Sequence, residues 1–214
     1  MMKTQKNRKP DVGRIIVKIM RHTAIKLGLS MSKDGSVCLS DLLALPIMQG
    51  FSHNQVVQAV KTCSKRRLCL YSDKDGKEYI KANQGHTIKH VESDASLKRV
   101  TNPEMIGSCL VHGTTSKAWL EIFKSGGLNR MKRNHIHIAM GLPGAAGVIS
   151  GMRNSSDVHI FLDGKKMLEN EVKLYKSANN VILCEGNSKG CLSKEYFLRV
   201  VTSDGKVLFK SSDK

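Results

Sequence analysis

The chain has 214 residues, 40% of them hydrophobic, enough to bury one sizeable core or two smaller ones. Lys+Arg number 35 against 18 Asp+Glu, and a formal charge of +17 repels itself unless it has a partner, for which a polyanion, nucleic acid first, is the common choice. No apolar run can span a bilayer, no lipidation motif or signal peptide is present, and the cysteines show neither CxxC pairs nor paired Cys/His ligand spacing, so membrane and zinc classes are excluded. The expectation is a soluble intracellular protein, cytoplasmic or nuclear, with reduced thiols at Cys38, Cys63, Cys69, Cys109, Cys184 and Cys191.

Residues 1–11 read as a basic flexible tail. From Val12 to Leu27 the apolar residues Val12, Ile15, Ile16, Ile19, Met20 and Ile25 recur at helical spacing, and Gly28 supplies a stop. Asp34-Gly35 signals a turn, a short apolar stretch follows to Leu39, and Ser40-Asp41 opens a helix carrying Leu42, Leu43 and Leu45. Ser52 to Cys63 reads as a third helix with Val56, Val57 and Val60 inward. Leu68 to Tyr71 and Glu78 to Ile80 flank Asp73-Lys74-Asp75-Gly76 as a hairpin. Helix, helix, helix, hairpin is the order of a winged-helix module, spanning residues 12–92.

The hairpin runs into Lys81-Ala82-Asn83-Gln84-Gly85-His86, a cation, two amides and an imidazole around a glycine, which is costly as core and suited to an anion or a sugar. A solvated loop is the other reading of the segment taken alone. Residues 93–107 read as a linker or a peripheral strand. Beyond it, 108–214 reads as a mainly β lobe: a strand into His112-Gly113-Thr114, an amphipathic helix over Ala118 to Phe123, and strands at His135 to Ala139, Val158 to Leu162, Val181 to Cys184 and Tyr196 to Val201. The predicted fold class is α+β in two lobes.

His135 and His137 are two apart on a strand and project from one face, but no third ligand at recognisable spacing accompanies them, so a polar ligand wall is preferred to a metal site. The glycine-rich stretch from Gly141 to Gly151 lacks the Lys-Ser/Thr ending of a P-loop and reads as a flexible crossing that delivers Arg153. Arg21-His22 on the first helix can point across the lobe boundary.

In order along the chain, Met20-Arg21-His22 with Leu27-Gly28-Leu29, Asp34-Gly35 before Asp41-Leu42-Leu43, AlaAsnGlnGlyHis at 82–86, His112-Gly113-Thr114, Arg133 with His135-Ile136-His137, Gly151-Met152-Arg153, and Ser177-Ala178-Asn179 with Val181-Ile182-Leu183 resemble the RNA 2′-phosphotransferases, best known as tRNA 2′-phosphotransferases. The resemblance covers roughly residues 12 to 200. It implies a winged-helix lobe that holds RNA, an ADP-ribosyltransferase-like lobe that holds NAD+ as co-substrate, no metal, no membrane and a monomer. The family reaction removes an internal 2′-phosphate from ligated, classically spliced, tRNA. The phosphate attacks the NAD+ ribose to expel nicotinamide, giving an RNA-2′-phospho-ADP-ribose intermediate; the ribose 2″-hydroxyl then attacks phosphorus, leaving 2′-OH RNA and ADP-ribose 1″,2″-cyclic phosphate.

By position the family's Arg-His-Arg-Arg tetrad falls on Arg21, His22, Lys81 and Arg153. Arg21 and Arg153 are then expected at the transferring phosphate and His22 at the ribose hydroxyls. His112, Gly113, Thr114, Arg133, His135, His137, Gly151, Ser177 and Asn179 would line the NAD+ side, with Arg21, Lys81, Asn83, Gln84, His86 and Arg153 on the RNA and phosphate side. Lys81 stands where the family has arginine and loses its two-pronged grip, a change expected to slow the reaction on the order of ten- to a hundredfold. Lys176, Asn180 and the opening Val12-Gly13-Arg14 also depart from the pattern, marking a diverged member. ADP-ribosyl transfer to a terminal phosphate of nucleic acid or to protein, and a decayed winged-helix RNA binder, are the alternatives.

Overall fold

A computed structural model of the chain describes residues 11–145, 147–153 and 155–211. Apart from Asp11, the tail read at 1–11 lies outside the described residues.

The first helix is three pieces. Asp11 caps α1 (Val12–Lys18) by accepting from Arg14 N, the chain then widens into a π-turn over Ile19–Thr23, and a 3-10 turn follows at Ile25–Leu27. The Ala24 N–H donates to Ile19 O at 2.9 Å, one residue beyond the α register. Apolar spacing alone does not distinguish this from one straight helix.

Strand β1 (Ser36–Cys38), α2 (Leu39–Leu43), a 3-10 turn at Pro46–Met48 and α3 (His53–Lys61) come next. Ser52 and Gln55 form a reciprocal capping box at the start of α3. β2 (Leu68–Ser72) and β3 (Glu78–Ala82) make the predicted hairpin, its turn tied by Asp73 Oδ1 accepting from the Asp75 and Lys77 N–H groups. The three strands form an antiparallel sheet in the order β1-β3-β2. Ile16, Met20, Leu39, Leu42, Val56 and Ile80 meet in one hydrophobic cluster beneath it.

A short helix α4 (Ser93–Ser96) and β4 (Lys98–Arg99) occupy the segment read as linker or peripheral strand. β4 is the edge of a large antiparallel sheet, while Val100 and Ile106 sink into that sheet's core, so the segment is built into the molecule. The chain continues through β5 (Leu110–Thr114), α5 (Ser116–Lys124), β6 (Gly127–Asn129), β7 (Ile136–Ala139), β8 (Val158–Leu162), α6 (Gly164–Glu169), β9 (Leu174–Lys176), β10 (Val181–Cys184), β11 (Cys191–Ser193), β12 (Phe197–Thr202) and β13 (Val207–Lys210). The eight-stranded order is β13-β12-β8-β5-β7-β10-β9-β4, and β6 pairs separately with β11. The whole is mixed α+β with a dominant antiparallel sheet. Helices α4 and α6 and strands β6, β9, β11 and β13 are additional to the predicted elements, while β4 answers to the peripheral-strand reading of its segment.

The pleat of β7 and β10 sorts residues by function. Ile136, Ile138, Ile182 and Cys184 enter the main core. Tyr175, Val181 and Leu183 form a smaller cluster, and register pairs Leu183 with His137. Alternation therefore sends His135 and His137 to the sheet face away from the main core.

Candidate functional site

The π-turn brings Arg21 and His22 against the segment that leaves β3. The Arg21 carbonyl accepts from Thr87 N at 2.9 Å, and His22 Nδ1 lies 3.0 Å from Thr87 Oγ1. Gly85 has φ +92°, and a Cβ there would stand 3.1 Å from Arg21 Cζ and Nε. The glycine lets the backbone lie directly on the guanidinium, which no other residue permits at that φ. Gly85→Ala is expected to cost about 1–2 kcal/mol of stability and about tenfold in activity, because the methyl pushes Arg21 aside. Thermal unfolding and turnover of the same variant check both parts.

Burial, then the charges of Arg133 and Arg67, push the Arg21 guanidinium down to about 10. Burial and Arg153 lower Arg133 in turn. Among the described residues none of Arg21, Arg67, Arg133 and Arg153 forms an ion pair with a carboxylate. Like charges gathered without counter-charge raise the free energy of the empty site, and an anion relieves it.

Imidazoles surround these cations, all made less basic. His22 is lowered by burial, Arg21 and Arg133, and His86 falls to about 4 through burial and Arg21. His135 also falls to about 4, chiefly by burial, while burial takes His137 well below its ordinary value. They are neutral at pH 7. Arg133 Nη1 lies 3.4 Å from His137 Nδ1; since a guanidinium only donates, Nδ1 holds the lone pair and Nε2 the proton. That Nε2, like His86 Nε2 and Arg21 Nε, is buried without a hydrogen-bond partner among the described residues. Buried polar atoms are normally satisfied, so these orphans mark where a ligand would supply the partners.

On β5 the ladder to β7 is limited to the Val111–Ala139 pair, and the His112 imidazole supplies the next link, with Nδ1 2.8 Å from His137 O. Gly113 makes room for the crossing loop: a Cβ there would be 2.2 Å from Met152 Cγ. Gly151 lies similarly on Ala139, at 3.0 Å. Both glycines thus let Gly151 and Met152 lie against the sheet, leaving Arg153 exposed yet near enough for its charge to lower His112 and Arg133. Thr114 closes β5, its carbonyl accepting from Asp157 N.

Other predicted residues are placed differently. Lys81 Nζ is 3.0 Å from Asp34 Oδ2 and lies over the Tyr71 ring, so its charge is already engaged. Asn83 Nδ2 donates to Arg66 O at 2.7 Å and its N–H to Arg67 O at 3.0 Å, fixing the hairpin exit; Gln84 is buried beside it. Ser177 Oγ donates to Asn179 Oδ1 at 2.8 Å, and the fully buried Asn179 donates through Nδ2 to Lys65 O at 3.0 Å. These two staple the β9–β10 turn to the α3–β2 loop. Asn179→Ala is expected to cost about 2–3 kcal/mol, by orphaning buried partners, with activity per folded molecule within about threefold; urea unfolding alongside turnover tests it. Arg67 is the residue that sequence reading missed. Hairpin register could have found it, since Leu68 pairs with Ala82 and Arg67 therefore sits beside Asn83.

Beyond His135 opens a cleft of about 970 Å³ lined by Ser93, Glu185, Tyr175, Asn134 and Arg130 among others. Ser93 Oγ is 2.9 Å from His135 Nε2 and donates to Glu185. Arg130 Nη1 also donates to the Arg133 carbonyl, and Asn134 N–H to the His86 carbonyl, but Arg21, Arg67, Arg133 and Arg153 are not in the lining of the cleft. Among the described residues no group of three or more His, Cys, Asp or Glu is placed to hold a metal, and no helix is long and apolar enough to cross a membrane.

The model of the RNA 2′-phosphotransferase, Tpt1 / KptA family matches residues 7–186. The chain belongs to this family. Human tRNA 2′-phosphotransferase 1 is 39% identical over 194 residues, covering 90% of this chain and 76% of the human one. The Saccharomyces cerevisiae tRNA 2′-phosphotransferase is 35% identical over 177 residues, 77% of this chain and 74% of its own. A Schizosaccharomyces pombe protein with a provisional tRNA 2′-phosphotransferase name is 44% identical over 191 residues, and the chain spans about half its length, 51%. For a phosphotransferase of this family, the uncompensated arginines and the orphaned imidazoles form the coherent polar site.

Proposed function

We propose that this chain is an NAD+-dependent RNA 2′-phosphotransferase that clears the internal 2′-phosphate of ligated tRNA. The observation that carries the reading is the group Arg21, Arg67 and Arg133, without carboxylate partners among the described residues, beside a neutral His22. Phosphoryl transfer asks for positioning and cationic stabilisation of charge in flight, and guanidinium forks supply both.

NAD+ supplies the electrophilic ribose carbon and the 2″-hydroxyl. Arg21 and Arg67 hold the RNA 2′-phosphate, while Arg133, between Arg21 and Arg153 electrostatically, bridges to the dinucleotide. His22 accepts a proton from the ribose hydroxyl in the second step. On the NAD+ side His137 Nε2–H donates to a ligand oxygen, and His112, whose Nδ1 proton goes to the His137 carbonyl, presents an accepting Nε2. His135 and Arg153 contribute at the rim; Gly113, Thr114 and Gly151 act by shaping the sheet face. Asn83, Gln84 and His86 carry Gly85 to Arg21. Lys81 serves as a neighbouring cation already shared with Asp34.

The order helix, strand, two helices, hairpin over residues 12–92 supports a winged-helix lobe for RNA, and the antiparallel sheet over 108–214 supports an ADP-ribosyltransferase-like lobe for NAD+. A monomer working inside the cell, in cytoplasm or nucleus, completes the proposal. Incubation with NAD+ and an RNA bearing one internal 2′-phosphate tests it. Loss of the phosphate with formation of ADP-ribose 1″,2″-cyclic phosphate is expected. Accumulation of ADP-ribosylated RNA would favour ADP-ribosyl transfer as the activity, and RNA binding without nicotinamide release would favour a binding protein.

A further inference from the structure

We propose that Thr87 is a positioning residue that sets which ring nitrogen of His22 faces the ligand. The inference rests on the reading of His22 as proton acceptor, and concerns how that role is enforced.

Thr87 makes three contacts with Arg21 and His22 of the π-turn. Its N–H donates to Arg21 O at 2.9 Å, its Oγ1 donates to the same carbonyl at 3.4 Å, and Oγ1 is 3.0 Å from His22 Nδ1. A hydroxyl has one proton, and a carbonyl can only accept. With the proton directed at Arg21 O, the Oγ1 lone pair faces Nδ1, and His22 must donate from Nδ1. Nε2 is then the unprotonated nitrogen. Arg21 and Arg133 lower the basicity of His22 further, which keeps this single-proton form at neutral pH. The π-turn matters here because it delivers the Arg21 carbonyl and the His22 ring to one side chain.

The chemical consequence lies in the second step. The ribose 2″-oxygen bonds to phosphorus as its proton passes to His22 Nε2. The bond from phosphorus to the RNA 2′-oxygen breaks, and that oxygen keeps the electron pair and takes a proton from water. With the other tautomer, Nε2 carries a proton and cannot accept one. The first step, in which phosphate attacks carbon, requires no proton acceptor. Thr87 is therefore a determinant of the second step alone.

Two measurements test this. In the unliganded protein, ¹⁵N-resolved spectra of the histidine rings at pH 7.5, assigned with His22→Gln, are expected to show His22 protonated at Nδ1 in the native chain, with the balance moving toward Nε2 in Thr87→Val. Valine keeps the shape and the backbone bond to Arg21. This readout stands whether or not the chain turns over any RNA, so a failure of the functional reading is told apart from a failure of the positioning role. A native His22 protonated at Nε2 overturns the proposal. With NAD+ and 2′-phosphorylated RNA, Thr87→Val is expected to slow the second step on the order of ten- to a hundredfold, accumulating ADP-ribosylated RNA, while nicotinamide release in the first turnover stays within about twofold. Thr87→Ser, which retains the hydroxyl, should restore the second step. Equal slowing of both steps, or no recovery with serine, would reduce Thr87 to a packing residue.

Discussion

Arg67→Ala is expected to lower turnover of 2′-phosphorylated RNA by about a hundred- to a thousandfold, and Lys81→Ala by less than about fivefold. Arg67 immediately precedes β2 and Lys81 lies on β3 of the same hairpin, and the sequence resemblance led to the expectation of Lys81. Electrostatic surroundings point to Arg67. Its charge acts directly on Arg21, its Nη1 is 3.6 Å from the Cys63 sulfur, and among the described residues it forms no ion pair with a carboxylate. Lys81 is 3.0 Å from Asp34 Oδ2, with side chains 25% and 24% exposed, and Asp34 is held in place by the Ser36 N–H and hydroxyl. A phosphate would have to compete with that carboxylate for Lys81, whereas Arg67 is unopposed. Lys81→Arg, expected from sequence to raise turnover, is on this geometry expected to leave it within about twofold. Single-turnover rates for all three variants decide the matter, with unfolding midpoints to remove stability effects. A loss at Lys81 equal to that at Arg67 would return the third cation to Lys81.

Why the sequence pointed to Lys81 is instructive. The Lys-Ala-Asn-Gln-Gly-His run is dense in functional side chains, while Arg67 closes a Ser-Lys-Arg-Arg run that reads as a solvated loop. Side-chain density was legible, and its direction was not. Within the run, Gly85 serves as the platform for Arg21, and Asn83 turns its amide back to the Arg66 carbonyl. The hairpin itself was legible because Asp73 to Gly76 is strong turn chemistry, and α3 because Ser52 and Gln55 form a capping box. The π-turn was not, because one extra residue in a turn leaves the apolar spacing nearly unchanged while rotating Arg21 and His22. Ser177 and Asn179 illustrate a related limit: polar residues near a strand end read as ligand contacts, yet their hydrogen bonds close on Lys65 and on each other. Short edge strands such as β4, with two residues, and β13, with four, are too brief to carry a period. Their place is set by pairing with longer neighbours.

Acidification should unfold this chain well before its carboxylates titrate. His86 and His135 have folded values of about 4 against 6.5 for the free side chain. Between those values the unfolded chain binds protons that the folded chain refuses. Stability therefore rises with pH across that window, is complete above about 6.5, and is lost progressively as pH falls toward 4. At 1.36 kcal/mol per pH unit each group contributes about 3 kcal/mol, and the two together on the order of 5 kcal/mol, because each charge disfavours the other. His22, His112 and His137 are lowered in the same direction and add to the loss. Asp34 acts lower down: its folded value lies below 3.8, so its contribution is present above that pH and disappears only beneath it. Such a loss is a large share of the stability of an ordinary domain. Urea midpoints at pH 7.5 and pH 4.5 are expected to differ strongly, and His86→Gln should flatten the dependence by removing one refused proton. Inorganic phosphate at millimolar concentration should shift the acid limb to lower pH, since an anion at Arg21 and Arg133 offsets the charges that resist imidazole protonation. A midpoint unchanged between pH 6.5 and 4.5 would mean that these rings are hydrated in solution, and with that the dry, anion-seeking character of the site would be lost.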